Sequence, residues 1–279
     1  ESKSKLKART YTSLLYRHWD TWQGARRKHI FLASLEGGQP KDLTPGTRDV
    51  PPFSLSGGDD YAIAPDGNEI CFVMNTDAEL ATSTNSDLFV VSLTEPGEPR
   101  KVVENPAADN SPLYSPDGRY IAYRAQSRPG FESDRWRLML LERETGRSTS
   151  RTDNLDLNVE AISWAPDSKR LFFVLEDRGR ANIHMLPIAG GASRSVVAGA
   201  SHMDGPQFTP DGRTMIYAEH SGSAPIEIFK ASSAGGAPVP LTRLNDSLLR
   251  DLALQRLEDF WVDSTDRAQI GRASCRERV

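Results

Sequence analysis

One tetrapeptide with constant flanks recurs four times along the chain, as Ala64-Pro65-Asp66-Gly67, Ser115-Pro116-Asp117-Gly118, Ala165-Pro166-Asp167-Ser168 and Thr209-Pro210-Asp211-Gly212. Counted at the aspartate, successive copies are 51, 50 and 44 residues apart. A fixed period of that size marks stacked or radial repeats. Pro sets φ for the first turn position, Asp bonds its own backbone, and Gly takes the left-handed position. The tetrapeptide is therefore a tight hairpin turn with a bulge. A bulky apolar residue stands two places before each Pro (Ile63, Tyr114, Trp164, Phe208), and an apolar triplet ending in Phe or Tyr follows each turn. Short runs of that kind bounded by turn residues read as strands, so each copy is the first hairpin of a repeat.

A third strand follows each hairpin, at Asp87–Val91, Trp136–Leu140, Ile183–Leu186 and Ile226–Phe229. A Gly-containing turn comes next, then a short fourth strand such as Pro240-Leu241-Thr242. Four antiparallel strands per repeat are a propeller blade. The fold class expected is all-β: an incomplete β-propeller with four full four-stranded blades over residues 51–243, a partial N-terminal blade over 25–50, and an open arc. Such an arc leaves two sheet edges exposed, and the chain alone is then expected to be poorly soluble or oligomeric.

The remaining stretches fall outside the blades. Residues 1–24 are a lead-in whose aromatic segment Tyr16–Trp22 is expected to pack on a blade. Residues 244–269 depart from the repeat and read as a connector toward a further domain. The last ten residues, Ile270–Val279, match the translation of a sequencing-library adapter and are expected to be an artefact of the reading frame. Of the two cysteines, Cys275 belongs to that tail, and Cys71 lies in a strand as a small core residue.

Composition excludes several classes. With 38% hydrophobic and 26% charged residues and a net charge of −4, the chain is of ordinary globular make-up, without the basic surplus of a nucleic-acid binder. No apolar run reaches the ~18 residues of a membrane span. The five histidines (His18, His29, His184, His202, His220) have no metal-ligand spacing, so neither a metal nor another cofactor is expected.

Several longer segments resemble a known family: Tyr16–Asp20, Asp49–Phe53 with Gly57–Tyr61, Ala81–Leu88, Asn105–Asp109, Tyr120–Gln126 and Arg128–Trp136. They are similar to the propeller part of prolyl oligopeptidase-family serine peptidases, in the branch of the acylaminoacyl-peptidases and dipeptidyl-peptidase-five-like enzymes. The resemblance implies a covalently linked α/β-hydrolase domain carrying Ser, Asp and His, with the propeller restricting access to peptides and small acylated substrates. It favours a periplasmic or secreted setting and leaves a cytoplasmic one open. A second resemblance, through the Pro-Asp-Gly blades, is to the non-enzymatic propeller of the periplasmic Tol-Pal system, which binds protein.

Hydrolase chemistry would need Gly-x-Ser-x-Gly, and no such pentapeptide occurs. No catalytic residue is assigned, and the fragment by itself is expected to be inactive. The candidate substrate contacts lie in the long insertion Arg128–Arg135, since a loop beside a rigid scaffold is where recognition residues gather. Glu132 or Asp134 is expected to pair with a peptide's free α-amino group, and Arg135 to take a carbonyl or orient those acids. The competing reading is a salt bridge internal to the loop. The acidic pair Asp59-Asp60 is read as binding backbone amides rather than a ligand.

Overall fold

The computed structural model describes residues 8, 10–12, 14–18, 20–52, 60–95, 97–254 and 258–274. Its residues divide into two compact units, 1–112 with 125–134, and 113–124 with 135–279. The described strands build four antiparallel quartets in chain order.

The first unit begins with a hairpin, β1 (Arg17–His18) and β2 (Thr21–Trp22). Here Tyr11 stacks on Trp22 at 5.8 Å and lies 5.1 Å from Tyr16, so these rings pack on one another, with Trp22 exposed. Strands β3 (Phe31–Leu32) and β4 (Lys41–Asp42) pair as the remnant of a blade. The first full quartet is β5 (Tyr61–Ile63), β6 (Glu69–Met74), β7 (Asp87–Ser92) and β8 (Arg100–Lys101). Leu43 and Val50 of the partial blade share a core with Ile70, Phe72, Phe89 and Val91 of this quartet. Cys71 is buried, as its place between Ile70 and Phe72 implies. Residues 53–59, including Gly57, Gly58 and Asp59, lie outside the described residues. Asp60 is buried, and its Oδ1 accepts the Ser111 amide at 3.2 Å.

The second quartet is β9 (Asp109–Tyr114), β10 (Tyr120–Ala125), β11 (Arg137–Glu142) and β12 (Arg147–Ser150). The second unit continues with β13 (Val159–Trp164), β14 (Arg170–Asp177), β15 (Arg180–Pro187) and β16 (Arg194–Val197), then β17 (His202–Phe208), β18 (Thr214–Ser221), β19 (Ala224–Ser232) and β20 (Val239–Pro240). One parallel bridge, Ala181↔His202, links the third and fourth quartets.

Packing follows from strand alternation. On β14, Leu171, Phe173 and Leu175 enter a cluster with Ala122, Leu138 and Leu140 of the preceding quartet. Phe172 and Val174 point the other way, toward Met203, Met215 and Tyr217 of the following one. A strand buried on both faces reads as an unbroken apolar run, which is what Leu171-Phe172-Phe173-Val174-Leu175 is.

The four turns share one hydrogen-bond pattern. Gly67, Gly118, Ser168 and Gly212 each donate their amide to the carbonyl three residues back at 2.8–3.0 Å. The turn aspartates Asp66, Asp117, Asp167 and Asp211 each accept the amide two residues on at 2.8–3.1 Å. Ser168 stands where the other copies have Gly and holds the same left-handed backbone, φ 58°. Its hydroxyl accepts the Asp117 amide of the neighbouring turn at 2.9 Å.

Beyond the quartets the chain forms a short helix α1 (Asp246–Arg250) and a separate hairpin of β21 (Glu258–Asp263) and β22 (Gln269–Ser274). The expected connector thus ends in a strand, and residues 270–274 of the adapter-like stretch pair with it. Phe260, Val262 and Ile270 supply β-forming side chains around a turn in which Arg267 has φ 68°. Residues 275–279 lie outside the described residues.

Candidate substrate-recognition loop

The insertion between β10 and β11 is a built loop. At its base Gln126, only 2% exposed, donates from Nε2 to the carbonyls of Glu132 at 3.0 Å and Asp134 at 2.7 Å. The Gln126 amide donates to the Ala108 carbonyl, and its own carbonyl accepts Asn105 Nδ2, both at 2.8 Å. Asn105 also donates to Asp109 Oδ1 at 3.0 Å, and its amide donates to Asp87 Oδ1 at 3.2 Å. Lys101 caps this chain on Asp87 Oδ2 at 2.8 Å, and that hydrogen bond raises the lysine's pKa.

Asp134 is 7% exposed and directs its carboxylate into the loop. Oδ2 accepts the Ser127 amide at 2.7 Å, the Arg128 amide at 2.9 Å and the Ser127 hydroxyl at 3.0 Å, while Oδ1 accepts Arg128 Nε at 3.0 Å. Burial alone would push this carboxyl up, but the hydrogen bonds from Ser127 and Arg128 outweigh it and hold the group far below the usual carboxylate range. A loop-internal salt bridge therefore exists, and its partner is Arg128.

The loop tip faces solvent. Gly130, with φ 72°, makes the reversal, and its amide donates to Thr84 Oγ1 at 3.0 Å. The Arg128 guanidinium lies 4.1 Å from the centre of the Phe131 ring. Glu132 and Ser133 are exposed, whereas Arg135, the first residue of the second unit in this stretch, is half-buried. Of the three residues singled out from sequence, Glu132 presents a carboxylate to solvent and Asp134 holds the loop's own amides.

Pro129 and Gly130 also line an open surface pocket of about 370 Å³, together with Asp77–Glu79, Thr82–Asn85 and Pro106. Hydrogen bonds from Ser83 Oγ at 2.6 Å and Asn85 Nδ2 at 3.0 Å hold the Asp77 carboxyl below its ordinary range. The wall comes from the polar β6–β7 connection with its turn of 3-10 helix at Leu80–Thr82. Neither that connection nor Gln126 was expected at a site: the connection has no periodic pattern, and a glutamine ending a strand carries no signature of its own.

The remaining histidines serve packing in part. His184 pairs across the sheet with Phe173, their ring centres 6.0 Å apart, and burial lowers its pKa. Among the described residues no group of three or more His, Cys, Asp or Glu is placed to hold a metal ion.

No family model matches the chain. It is 31% identical over 269 residues to dipeptidyl-peptidase 5 of Porphyromonas gingivalis, an alignment covering 94% of this chain and 39% of that protein. The chain thus spans about two fifths of the length of the curated relatives it matches. Among solved structures, acylaminoacyl peptidase from Pyrococcus horikoshii superposes with a TM-score of 0.58 at 16% identity, over 76% of this chain and 32% of that one. TolB from Agrobacterium tumefaciens gives a TM-score of 0.59 at 17% identity, over 77% and 74%. At such identities these likenesses concern the fold, which is the all-β propeller class.

Proposed function

We propose that this chain, a homologue of the dipeptidyl-peptidase 5 proteins, is the substrate-gating propeller of a serine peptidase acting on peptides or acylated peptides. The observation that carries the reading is the homology along 94% of the chain to 39% of a named peptidase, together with quartets of the kind that make a propeller. The hydrolytic Ser, His and Asp then belong to a linked α/β-hydrolase domain, because no Gly-x-Ser-x-Gly stands in these 279 residues.

Within this reading the β10–β11 loop meets the substrate's amino end. Asp134 and Gln126 fix the loop's backbone, and the exposed Glu132 carboxylate pairs with the α-ammonium group. Charge-assisted pairing of that kind fixes register, so it acts on binding of the free-amine substrate more than on the chemical step. In the intact peptidase, Glu132→Gln is expected to raise KM for dipeptidyl substrates with a free amino terminus and to leave kcat nearly unchanged. Amino-acylated substrates should be untouched. Equal effects on both substrate kinds would remove Glu132 from the role.

The fold likeness to TolB favours a second reading, a protein-binding propeller without hydrolase chemistry. Sequencing the gene on both sides of this stretch separates the two. A continuous reading frame carrying Gly-x-Ser-x-Gly after the propeller supports the peptidase, and a small α/β domain before it supports the binding module.

A further inference from the structure

Along the sequence, His202 and His220 stand 18 residues apart and suggest nothing. The antiparallel register of β17 and β18 makes them direct cross-strand partners. Their ring centres lie 4.9 Å apart, with the planes inclined by 27°. A metal ion bound about 2.0–2.1 Å from one nitrogen of each imidazole sits about 3.2 Å from each ring centre, so N–metal–N angles of about 90–110° put the ring centres about 4.5–5.2 Å apart. The observed spacing falls within that window.

We propose that His202 and His220 form a two-histidine site for a divalent first-row transition ion. Imidazole pairs suit copper, nickel and zinc, and affinity should place copper(II) first. His220 is exposed and His202 half-buried, which leaves the pair open to an ion from solution. Charge on the same sheet face helps: the next pair along the register is Met203↔Glu219 and the one after is Asp204↔Ala218, so side-chain alternation puts the exposed Asp204 on the histidines' side. Glu219 lies on the opposite face by the same alternation. With two protein ligands, water completes the coordination, and the site is an open, exchangeable one that staples two strands rather than a closed structural centre. This inference does not depend on the peptidase reading.

The test is titration of the 279-residue chain with copper(II), nickel(II) and zinc(II) by calorimetry, with electron paramagnetic resonance of the copper complex. One copper per chain with two nitrogen ligands is expected. His202→Asn and His220→Asn should each weaken binding at least about tenfold. Asp204→Asn should weaken it slightly, and His184→Asn should leave it as it was. Copper should raise the melting temperature of the parent chain and not of the two site variants, since only a folded-state ligand stabilises. His220→Asn changes an exposed residue, and its circular dichroism confirms that a loss of binding is not a loss of fold. Copper binding that survives the double variant His202→Asn/His220→Asn unchanged, or that disappears in His184→Asn, would overturn the proposal.

Discussion

Asp134→Ala separates two accounts of what holds the β10–β11 loop: the ion pair with Arg128, or the backbone amides that the same carboxylate accepts. The Arg128 side chain is 65% exposed, so solvent screens its pairing, which is then worth at most about 1 kcal/mol. The amides of Ser127 and Arg128 and the Ser127 hydroxyl sit on Oδ2 at 2.7–3.0 Å beneath a nearly buried carboxylate. Hydrogen bonds to a charged acceptor contribute about 1.5–3 kcal/mol each, and a buried amide left unpaired costs about 1–3 kcal/mol. Discounting for non-additivity and for water reaching the opened loop, Asp134→Ala should loosen it by about 2–4 kcal/mol. At 1.4 kcal/mol per tenfold, amide exchange at Ser127 and Arg128 should speed up from roughly 30-fold to several hundredfold. Arg128→Ala should change it less than about fivefold. Hydrogen exchange read by mass spectrometry or NMR decides the matter, and equal loosening in the two variants would refute the amide account. The pH dependence follows from the same geometry. The folded-state carboxyl is held below the unfolded value of about 3.9, so its contribution is complete above that value and is lost only as pH falls below it. Exchange protection of the loop at pH 5 should therefore match that at pH 7, and should decline only beneath about pH 4.

Ser168 holds φ 58° where the other turns have Gly, a strain of about 1–2 kcal/mol for an L side chain. Its hydroxyl returns about 0.5–1.5 kcal/mol through the Asp117 amide. Ser168→Gly should thus be near neutral, and Ser168→Ala should melt lower than Ser168→Gly by an amount equivalent to about 1 kcal/mol; an Ala variant at least as stable as the Gly variant contradicts this. Phe173 is fully buried between two quartets, so Phe173→Ala should cost about 3–5 kcal/mol in urea unfolding. Phe131, 42% exposed at the loop tip, should lose under about 1 kcal/mol on truncation, and comparable losses at both positions would sink the packing argument.

The quartets were legible because their signals are local. A Pro-Asp-Gly turn and an apolar triplet each determine a hairpin within about ten residues, without reference to the rest of the chain. Even the exception at Ser168 keeps the turn, since the neighbouring Asp117 amide gives the serine a reason to remain there. The loop was half legible. Its length marks it, and its acids stand out, but whether an aspartate faces a ligand or its own backbone depends on how Gly130 turns the chain. That reversal carries Ser127 and Arg128 onto Asp134, and spacing alone does not reveal it. The histidine pair escaped for a related reason: residues 202 and 220 are 18 apart in the chain, and the register Gln207↔Ile216 and Phe208↔Met215 nearer the turn would set His202 against Ser221; the shift of register between Asp204 and Gln207 makes His220 its partner instead.

The division of labour within the loop has a physical basis. An exposed carboxylate such as Glu132 is useful to an incoming ammonium group only if its backbone does not have to be ordered at the moment of binding, because each ordered residue costs about 1–2 kcal/mol. Gln126 fixes the carbonyls of Glu132 and Asp134, and Asp134 fixes the amides of Ser127 and Arg128, so both ends of the loop are tied before any ligand arrives. Gln126 is tied in turn through Asn105 to Asp87 and Lys101 on the first quartet. On the proposed function, the buried acid would serve recognition indirectly, by preorganising the exposed one. If the proposed peptidase function holds, loosening Asp134 should consequently weaken binding of a free-amine substrate even though Glu132 is unchanged, and a KM unaffected by Asp134→Ala would break that link.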